Sequence, residues 1–284
     1  MSKYDPHKVY EIGFIGAGNM AQAIGLALIK KGMCKAENLL VSAPSENNKK
    51  PWRDIGAAVT SDNDTVFCNS KIVFLAIKPQ YFFKVASGLS VSTLGLPLNI
   101  LISIMAGIPL GALQEVFKLK PSCLFKVMPN TPSIIGEGFS VISHPSDANL
   151  EEVSENLSTI KLLMGAIGGV DILPESLMNA AGAVSGSGPA YAFLIIEALA
   201  DGGVKQGLPR DLAVRLAASA MSGGSRMVLQ TGKHTGELKD MVTSAGGSTI
   251  AALHALEKGG VRSAMMDAIE AATKRSKEMG EIKT

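Results

Sequence analysis

Gly16-Ala17-Gly18-Asn19-Met20-Ala21 is the first stretch of the chain equipped for chemistry. It reads G-x-G-x-x-A and follows an apolar run, Val9–Ile15, that predicts a strand. In such a turn the first glycine permits the reversal and the second lets the backbone approach a pyrophosphate. The small third residue allows close helix–strand packing, and the helix N-terminus attracts the phosphate charge. A second predicted strand, Leu39–Ser42, carries no acid at its tip. Ala43-Pro44-Ser45 follow it, then Glu46 beyond the proline and the cations Lys49, Lys50 and Arg53. A carboxylate at the tip would suit the ribose 2′-hydroxyl of NAD; hydroxyls with nearby cations suit a 2′-phosphate. NADPH is therefore the expected cofactor, with NADH a weaker alternative.

Three further segments point to a ligand. Ala76-Ile77-Lys78-Pro79 ends an apolar run at the edge where ligands of open α/β sheets bind. Ser185-Gly186-Ser187-Gly188-Pro189-Ala190 and Ser244-Ala245-Gly246-Gly247-Ser248-Thr249-Ile250 are hydroxyl- and glycine-rich and feed helices. Their N–H groups could cradle a carboxylate, although helix capping alone explains most such clusters. The histidines offer no better acid: His7 lies near the N-terminus, His144 precedes a loop proline, His234 sits in a polar loop, and His254 lies on a predicted helix where packing or capping is the plainer role. Cys34, Cys68 and Cys123 form no C-x-x-C or Cys/His pattern, so neither a metal site nor a disulfide framework is expected.

These residues must be positioned by a sheet and then by helices. Strands are predicted at Val9–Ile15, Leu39–Ser42, Ile72–Ile77, Ile100–Ile104 and Leu124–Met128. Helices are predicted at Met20–Lys31, Asp62–Asn69, Tyr81–Leu89, Leu110–Lys118 and Leu150–Met164. Alternation of this kind implies βαβ units and a mostly parallel sheet. From Pro174 onward no strand is evident, and helices are predicted at Pro174–Ala183, Pro189–Gly203, Pro209–Leu229, Glu237–Val242, Thr249–Glu257 and Val261–Lys277. Pro174, Pro189 and Pro209 each stand where a first helical turn begins. The expected architecture is an α/β domain over residues 1–171 followed by an all-α domain over 172–284. Ala190–Leu199 and Leu212–Met221 are apolar nearly all round, so they need covering on several sides. Homo-oligomerisation through this domain is expected; a central core helix is the alternative.

Among the 284 residues, 46% are hydrophobic and 18% charged, which excludes intrinsic disorder. A net charge of +2 provides no broad basic field for nucleic acid and no polybasic patch for a membrane. The N-terminal residues are polar, and no apolar run reaches the ~18 residues of a membrane span. The expectation is a soluble, cytoplasmic protein.

Phe14–Ala21, Phe74–Pro79, Met128-Pro129-Asn130-Thr131-Pro132, Ser185–Phe193, Ala198–Val204 with Gly207-Leu208-Pro209, and Ser244–Leu256 together resemble the pyrroline-5-carboxylate reductase family, in order from about residue 10 to 280. The resemblance implies a Rossmann domain followed by a helical dimerisation domain, with dimers often assembling into decamers. It implies reduction of a cyclic imine, 1-pyrroline-5-carboxylate, to L-proline by NAD(P)H. By position, Gly16, Ala17, Gly18, Asn19 and Met20 would hold the pyrophosphate, and Ser42, Ser45 and Asn63 the adenosine ribose and 2′-phosphate. Ala76, Ile77, Lys78, Pro79, Ala106 and Gly107 would line the nicotinamide half. The implied substrate contacts are Glu175, Ser187, Ser244, Gly247, Ser248 and Thr249, with Thr249 as the catalytic residue. No metal is implied. The chain departs from the family at Ala245, where proline is usual, at Ser248, where threonine is common, and at Thr235, where a proline usually follows the histidine.

Reduction of a C=N bond needs a hydride on carbon and a proton on nitrogen, so a protein that binds a hydride donor mainly positions and polarises. Thr249 is a poor acid at neutral pH and is expected to orient the ring nitrogen. A β-hydroxyacid dehydrogenase of the same plan would carry a lysine on the helix after the Ser185–Ala190 loop, and Pro189–Ala200 holds none. A catalytically idle NADP-binding protein is the remaining alternative; the intact Ser244–Ile250 loop weighs against it.

Overall fold

Each apolar run of the first half forms a strand in the structure, a computed structural model that describes residues 4–90 and 100–280. In chain order the elements are β1 (Tyr10–Ile15), α1 (Asn19–Lys30), β2 (Leu39–Ser42), α2 (Glu46–Asp54), β3 (Ala58–Thr60), α3 (Asn63–Asn69), β4 (Ser70–Leu75) and α4 (Phe82–Ser87). Then come β5 (Ile100–Ser103), α5 (Leu110–Phe117), β6 (Leu124–Met128), β7 (Gly138–Ser143), α6 (Leu150–Gly165) and β8 (Gly168–Ile172). The eight strands make one sheet in the order β3-β2-β1-β4-β5-β6-β7-β8. Neighbours are parallel except β6 and β7, which run antiparallel.

Alternate residues of the strands serve two cores. Ile12, Phe14, Val41, Phe74 and Phe125 face Ile24 and Leu28 of α1, Trp52 of α2 and Ile160 of α6. Ile15, Leu75, Leu101 and Leu124 face Val66 of α3, Phe82 of α4 and Leu113 and Phe117 of α5. Burial on both faces is why these strands read as continuous apolar runs rather than alternating ones. Phe14 stacks on Phe74 with ring centroids 5.0 Å apart and meets Trp52 at 5.2 Å, which ties the central strands to α2.

Three strands and one helix lie beyond the sequence expectation. β3 is only three residues long, and β8 opens with Gly168-Gly169, which weakens any strand pattern. α2 contains Pro51 and is polar apart from Trp52; a cap from Ser45 and that one buried ring hold it. Gly168 has φ +146°, and a Cβ there would lie 1.8 Å from the Gly138 carbonyl oxygen of β7. Gly168→Ala must therefore push two paired backbones apart. The expected cost is about 3 kcal/mol or more, read as a lower urea midpoint in equilibrium unfolding.

The chain divides into two compact units, Met1–Gly186 with Ala272–Thr284, and Ser187–Ala271. The division expected between residues 171 and 172 falls at the end of the last strand, but the first unit runs on to Gly186 and resumes at Ala272, so residues 172–284 are not one unit. The segment after the last strand stays with the sheet, because Met178 of α7 (Met178–Ala181) is buried and Asn130 hydrogen-bonds Ser185 within a π-helical turn, Gly182–Gly186.

The second unit is helical. α8 (Gly188–Lys205) and α9 (Arg210–Thr231) pack on each other, followed by α10 (Thr235–Met241), α11 (Ser248–Lys258) and the start of α12 (Val261–Gly280). α8 is not the central core helix that was the alternative: only Ala200 of it is buried, while Phe193 and Leu194 are 64% and 61% exposed. By length and composition the stretch Glu175–Lys205 is apolar enough to cross a membrane. This corrects the expectation that no apolar run reaches that length, because a few charges scattered along a long segment lower its mean hydropathy little.

Candidate cofactor and substrate sites

The carboxyl ends of four strands form one edge. There the Gly16 N–H donates to the Ser42 carbonyl at 2.9 Å, the Ala76 N–H to Ile15 at 2.8 Å, and the Ile104 N–H to Leu75 at 3.1 Å. The strand order reverses between β1 and β4, which is where open α/β sheets bind ligands. Gly16 has φ +103°, and a Cβ on it would sit 2.5 Å from the Ala76 carbonyl oxygen. Gly18 caps α1 with no side-chain hydrogen bond, and a Cβ there would meet nothing within 4 Å. The turn is closed at its first glycine and open at its second, and no side chain caps the first turn of α1. That is the cradle a pyrophosphate requires. A dinucleotide with its pyrophosphate there would have its adenosine half on the β2 side and its other half on the β4 and β5 side.

On the β2 side, the expected residues take different parts. Ser42 is fully buried, and its hydroxyl donates to Asn63 Oδ1 at 2.7 Å. It therefore orients Asn63, the first residue of α3. Ser45 is exposed and accepts from the Asn48 N–H at 3.3 Å as the cap of α2. Two of the three nearby cations are already engaged: Lys49 and Arg53 each reach Glu46 at 2.6 Å, and Lys49 also donates to Ser61 Oγ at 2.7 Å. The Arg53 and Lys49 contacts hold the Glu46 carboxyl down at about 2. The pairing follows helical spacing, one turn from Glu46 to Lys49 and two turns to Arg53, which the run of cations in the sequence did not reveal.

On the β4 and β5 side, Ala76, Ile77, Lys78 and Pro79 follow Leu75, with Lys78 exposed. Ala106 is exposed on the segment after β5, and Gly107 is buried, with Met279 and Gly280 next to it. Glu175 belongs to this same unit. Its Oε1 accepts from the Leu110 N–H at 2.7 Å and lies 3.7 Å from Lys126 Nζ. Burial pulls the Lys126 ammonium below the usual lysine value, with Glu175 opposing that shift. Lys126 and Asn130 are the functional-edge residues whose part is not evident in the sequence. Asn130 accepts from the Phe139 N–H at 2.9 Å and donates to the Ser185 carbonyl at 3.1 Å, which binds β7 and the π-helical turn together. A polar residue between two prolines just past a strand was its only signal.

The remaining expected residues lie in the helical unit. Ser187 caps α8 through its carbonyl, which accepts from Ala190 at 3.0 Å. The Gly247 N–H donates to the Ser244 carbonyl at 3.1 Å, so Ser244–Gly247 is a turn leading straight into α11. Gly247 caps α11 without a side-chain hydrogen bond, and Ser248 and Thr249 are its first two residues. Their N–H groups thus face outward at a helix start, with the Thr249 hydroxyl beside them. His234 accepts from the Gly236 N–H at 3.1 Å through Nδ1 and caps α10, which gives the Lys233-His234-Thr235 stretch a structural part. His254 is exposed rather than packed. No disulfide links Cys34, Cys68 and Cys123, and burial with Glu11 beside it pushes the Cys34 thiol up to about 12. Among the described residues no group of three His, Cys, Asp or Glu could hold a metal.

A doubly wound sheet with an open phosphate turn at its switch point, followed by a helical unit, defines a dinucleotide-binding protein of the two-domain oxidoreductase plan. Residues 11–107 match a model described as NADP oxidoreductase coenzyme F420-dependent, and residues 175–279 one described as pyrroline-5-carboxylate reductase dimerisation. A pyrroline-5-carboxylate reductase of Arabidopsis thaliana is 41% identical over 97% of this chain and 98% of its own; one of Methanosarcina acetivorans is 41% identical over 95% and 98%. The crystal structure of the Plasmodium falciparum pyrroline carboxylate reductase with NADP bound superposes with a TM-score of 0.83 at 32% identity, covering 96% of this chain and 98% of that one. The chain belongs to the pyrroline-5-carboxylate reductase family.

Proposed function

We propose that this protein reduces 1-pyrroline-5-carboxylate to L-proline, with NADPH preferred and NADH a slower donor. The observation that carries this is the phosphate turn, closed at Gly16 and open at Gly18, in a chain that keeps the Ser244–Thr249 turn at the start of α11. NADP(H) bound along the strand edge would supply the hydride for the imine carbon. The first-turn N–H groups of α1 neutralise its pyrophosphate, Asn63 and Ser45 face its adenosine ribose, and Ala76–Pro79 with Ala106 and Gly107 flank the other half. The N–H groups of Gly247, Ser248 and Thr249 hold the substrate carboxylate, as a helix start favours an anion. The Thr249 hydroxyl orients the ring nitrogen, and the proton that nitrogen gains comes from water. Ser187 and Ser244 shape the same substrate loops.

The exposed apolar residues of α8 and α9 are covered by a second copy, each large side chain contributing about 1.5–3 kcal/mol on burial. Dimers assemble further into decamers, and the protein works in the cytoplasm. The test is NADPH oxidation on addition of pyrroline-5-carboxylate, with NADH in parallel. Substrate-dependent oxidation that is faster with NADPH supports the reading, and NADPH binding without turnover on any cyclic imine overturns it.

Cofactor preference has its own test. Glu46 occupies the two cations that a 2′-phosphate would use. Glu46→Gln is expected to lower the KM for NADPH by about 3-fold to 10-fold and to leave that for NADH within about 2-fold. Steady-state kinetics with both donors checks this, and the part of the gain that comes from the exposed Arg53 should shrink at high salt, unlike that from the buried Lys49.

A further inference from the structure

Lys126 stands in the middle of β6, 3% exposed, directly opposite Ser103 of β5 and Ser143 of β7, both fully buried. A buried cation is retained only where a partner offsets its lost hydration, and the carboxylate it faces is Glu175. Glu175 in turn does something specific. α5 begins after Pro109, whose cap position offers no side-chain hydrogen bond, and the Leu110 N–H would otherwise be an orphan of the first turn. Glu175 fills that place from 65 residues away, as a charge-assisted acceptor at 2.7 Å.

The consequence falls on the segment Ile104–Pro109. At its start the Ile104 N–H is tied to Leu75, and the Met105 N–H approaches Ser103 Oγ at 3.4 Å. At its end the Leu110 N–H is tied to Glu175. Ala106 is exposed between the two anchors, at the sheet edge where the half of a dinucleotide beyond the pyrophosphate must lie. We propose that Glu175, stationed by Lys126, is a positioning residue that holds the Met105–Pro109 segment against the nicotinamide half of NADP(H), rather than a residue that touches substrate. This rests on the NADP(H) reading above.

The test compares two ligands on the purified full chain: NADPH, which spans both halves of the edge, and adenosine 2′,5′-bisphosphate, which reaches only the β2 side. Glu175→Ala is expected to raise the Kd for NADPH about 10-fold while leaving that for the bisphosphate within about 2-fold. Glu175→Gln keeps an oxygen for the Leu110 N–H, so NADPH affinity should stay within about 3-fold of wild type, while the charge lost opposite Lys126 is read as a lower Tm. Glu175→Asp keeps the charge but falls short by one methylene and should weaken NADPH by about 5-fold or more. If Glu175→Ala does not fold, the order of the Gln and Asp variants decides. Equal loss of both ligands, no loss of either, or an aspartate milder than glutamine overturns the proposal. A wild-type protein that binds neither ligand overturns the NADP(H) reading itself, and this proposal with it, before any substitution is made.

Discussion

Gly16→Ala should lose both stability and cofactor, whereas Gly18→Ala should lose cofactor alone. At Gly16 the backbone has φ +103°, and an added Cβ would lie 2.5 Å from the Ala76 carbonyl oxygen and 2.7 Å from its carbon. Neither atom can yield without moving β4, because the Ala76 N–H is itself bonded to Ile15 at 2.8 Å. Backbone strain of about 1–3 kcal/mol adds to that clash. The expected result is a Tm several degrees lower and NADPH affinity reduced by about 100-fold or more. At Gly18, φ is −75° and an added Cβ meets nothing within 4 Å. The fold should not notice, so any loss there belongs to the ligand. A methyl group in the path of the pyrophosphate is expected to weaken NADPH by about 10-fold to 100-fold with Tm unchanged. Calorimetric titration with NADPH and a thermal melt of both variants separate the two effects. Unchanged NADPH affinity in Gly18→Ala would show that no phosphate sits on this turn.

The second large effect is expected at Thr249. Thr249→Val keeps the shape and the backbone N–H but removes the hydroxyl, so kcat/KM for the imine should fall by about 10-fold to 1000-fold. NADPH affinity should hold within about 2-fold, because the cofactor-edge residues are untouched. Thr249→Ser should recover most of the activity, since it restores the donor. An unchanged kcat/KM in the valine variant removes Thr249 from the chemistry and leaves only its N–H group as a carboxylate contact. Ser248→Ala offers a contrast: its N–H survives, and no large fall is expected.

Much of the sheet was legible because both of its faces are buried. Leu39–Ser42 and Leu124–Met128 have the same bounds in sequence and structure, and β1 differs by one residue. The N-terminal edge of α3 was legible for a local reason too: Asp62 caps it by accepting from the Asp64 and Thr65 N–H groups. The last two strands were hidden because their pairing rests on backbone proximity, with Gly168 against Gly138, rather than on an apolar pattern. α2 was hidden because a proline and a polar run outweigh one tryptophan in any local reading, while in the fold that tryptophan is almost wholly buried.

Contacts between neighbours in the chain were thus determined by the sequence itself. The phosphate turn, the caps of α2 and α3 and the Gly247 entry to α11 each depend on a few consecutive residues, whose φ preferences and short side chains act locally. The division of labour among the polar residues was decided by tertiary structure. Ser42 turned out to hold Asn63, 21 residues away; Asn130 to hold Ser185, 55 away; and Glu175 to cap a helix 65 residues before it while facing Lys126. A side chain can spend its hydrogen bonds on a ligand or on the protein. Which one it does depends on what the fold brings within 3 Å of it, and residue type and spacing do not carry that information.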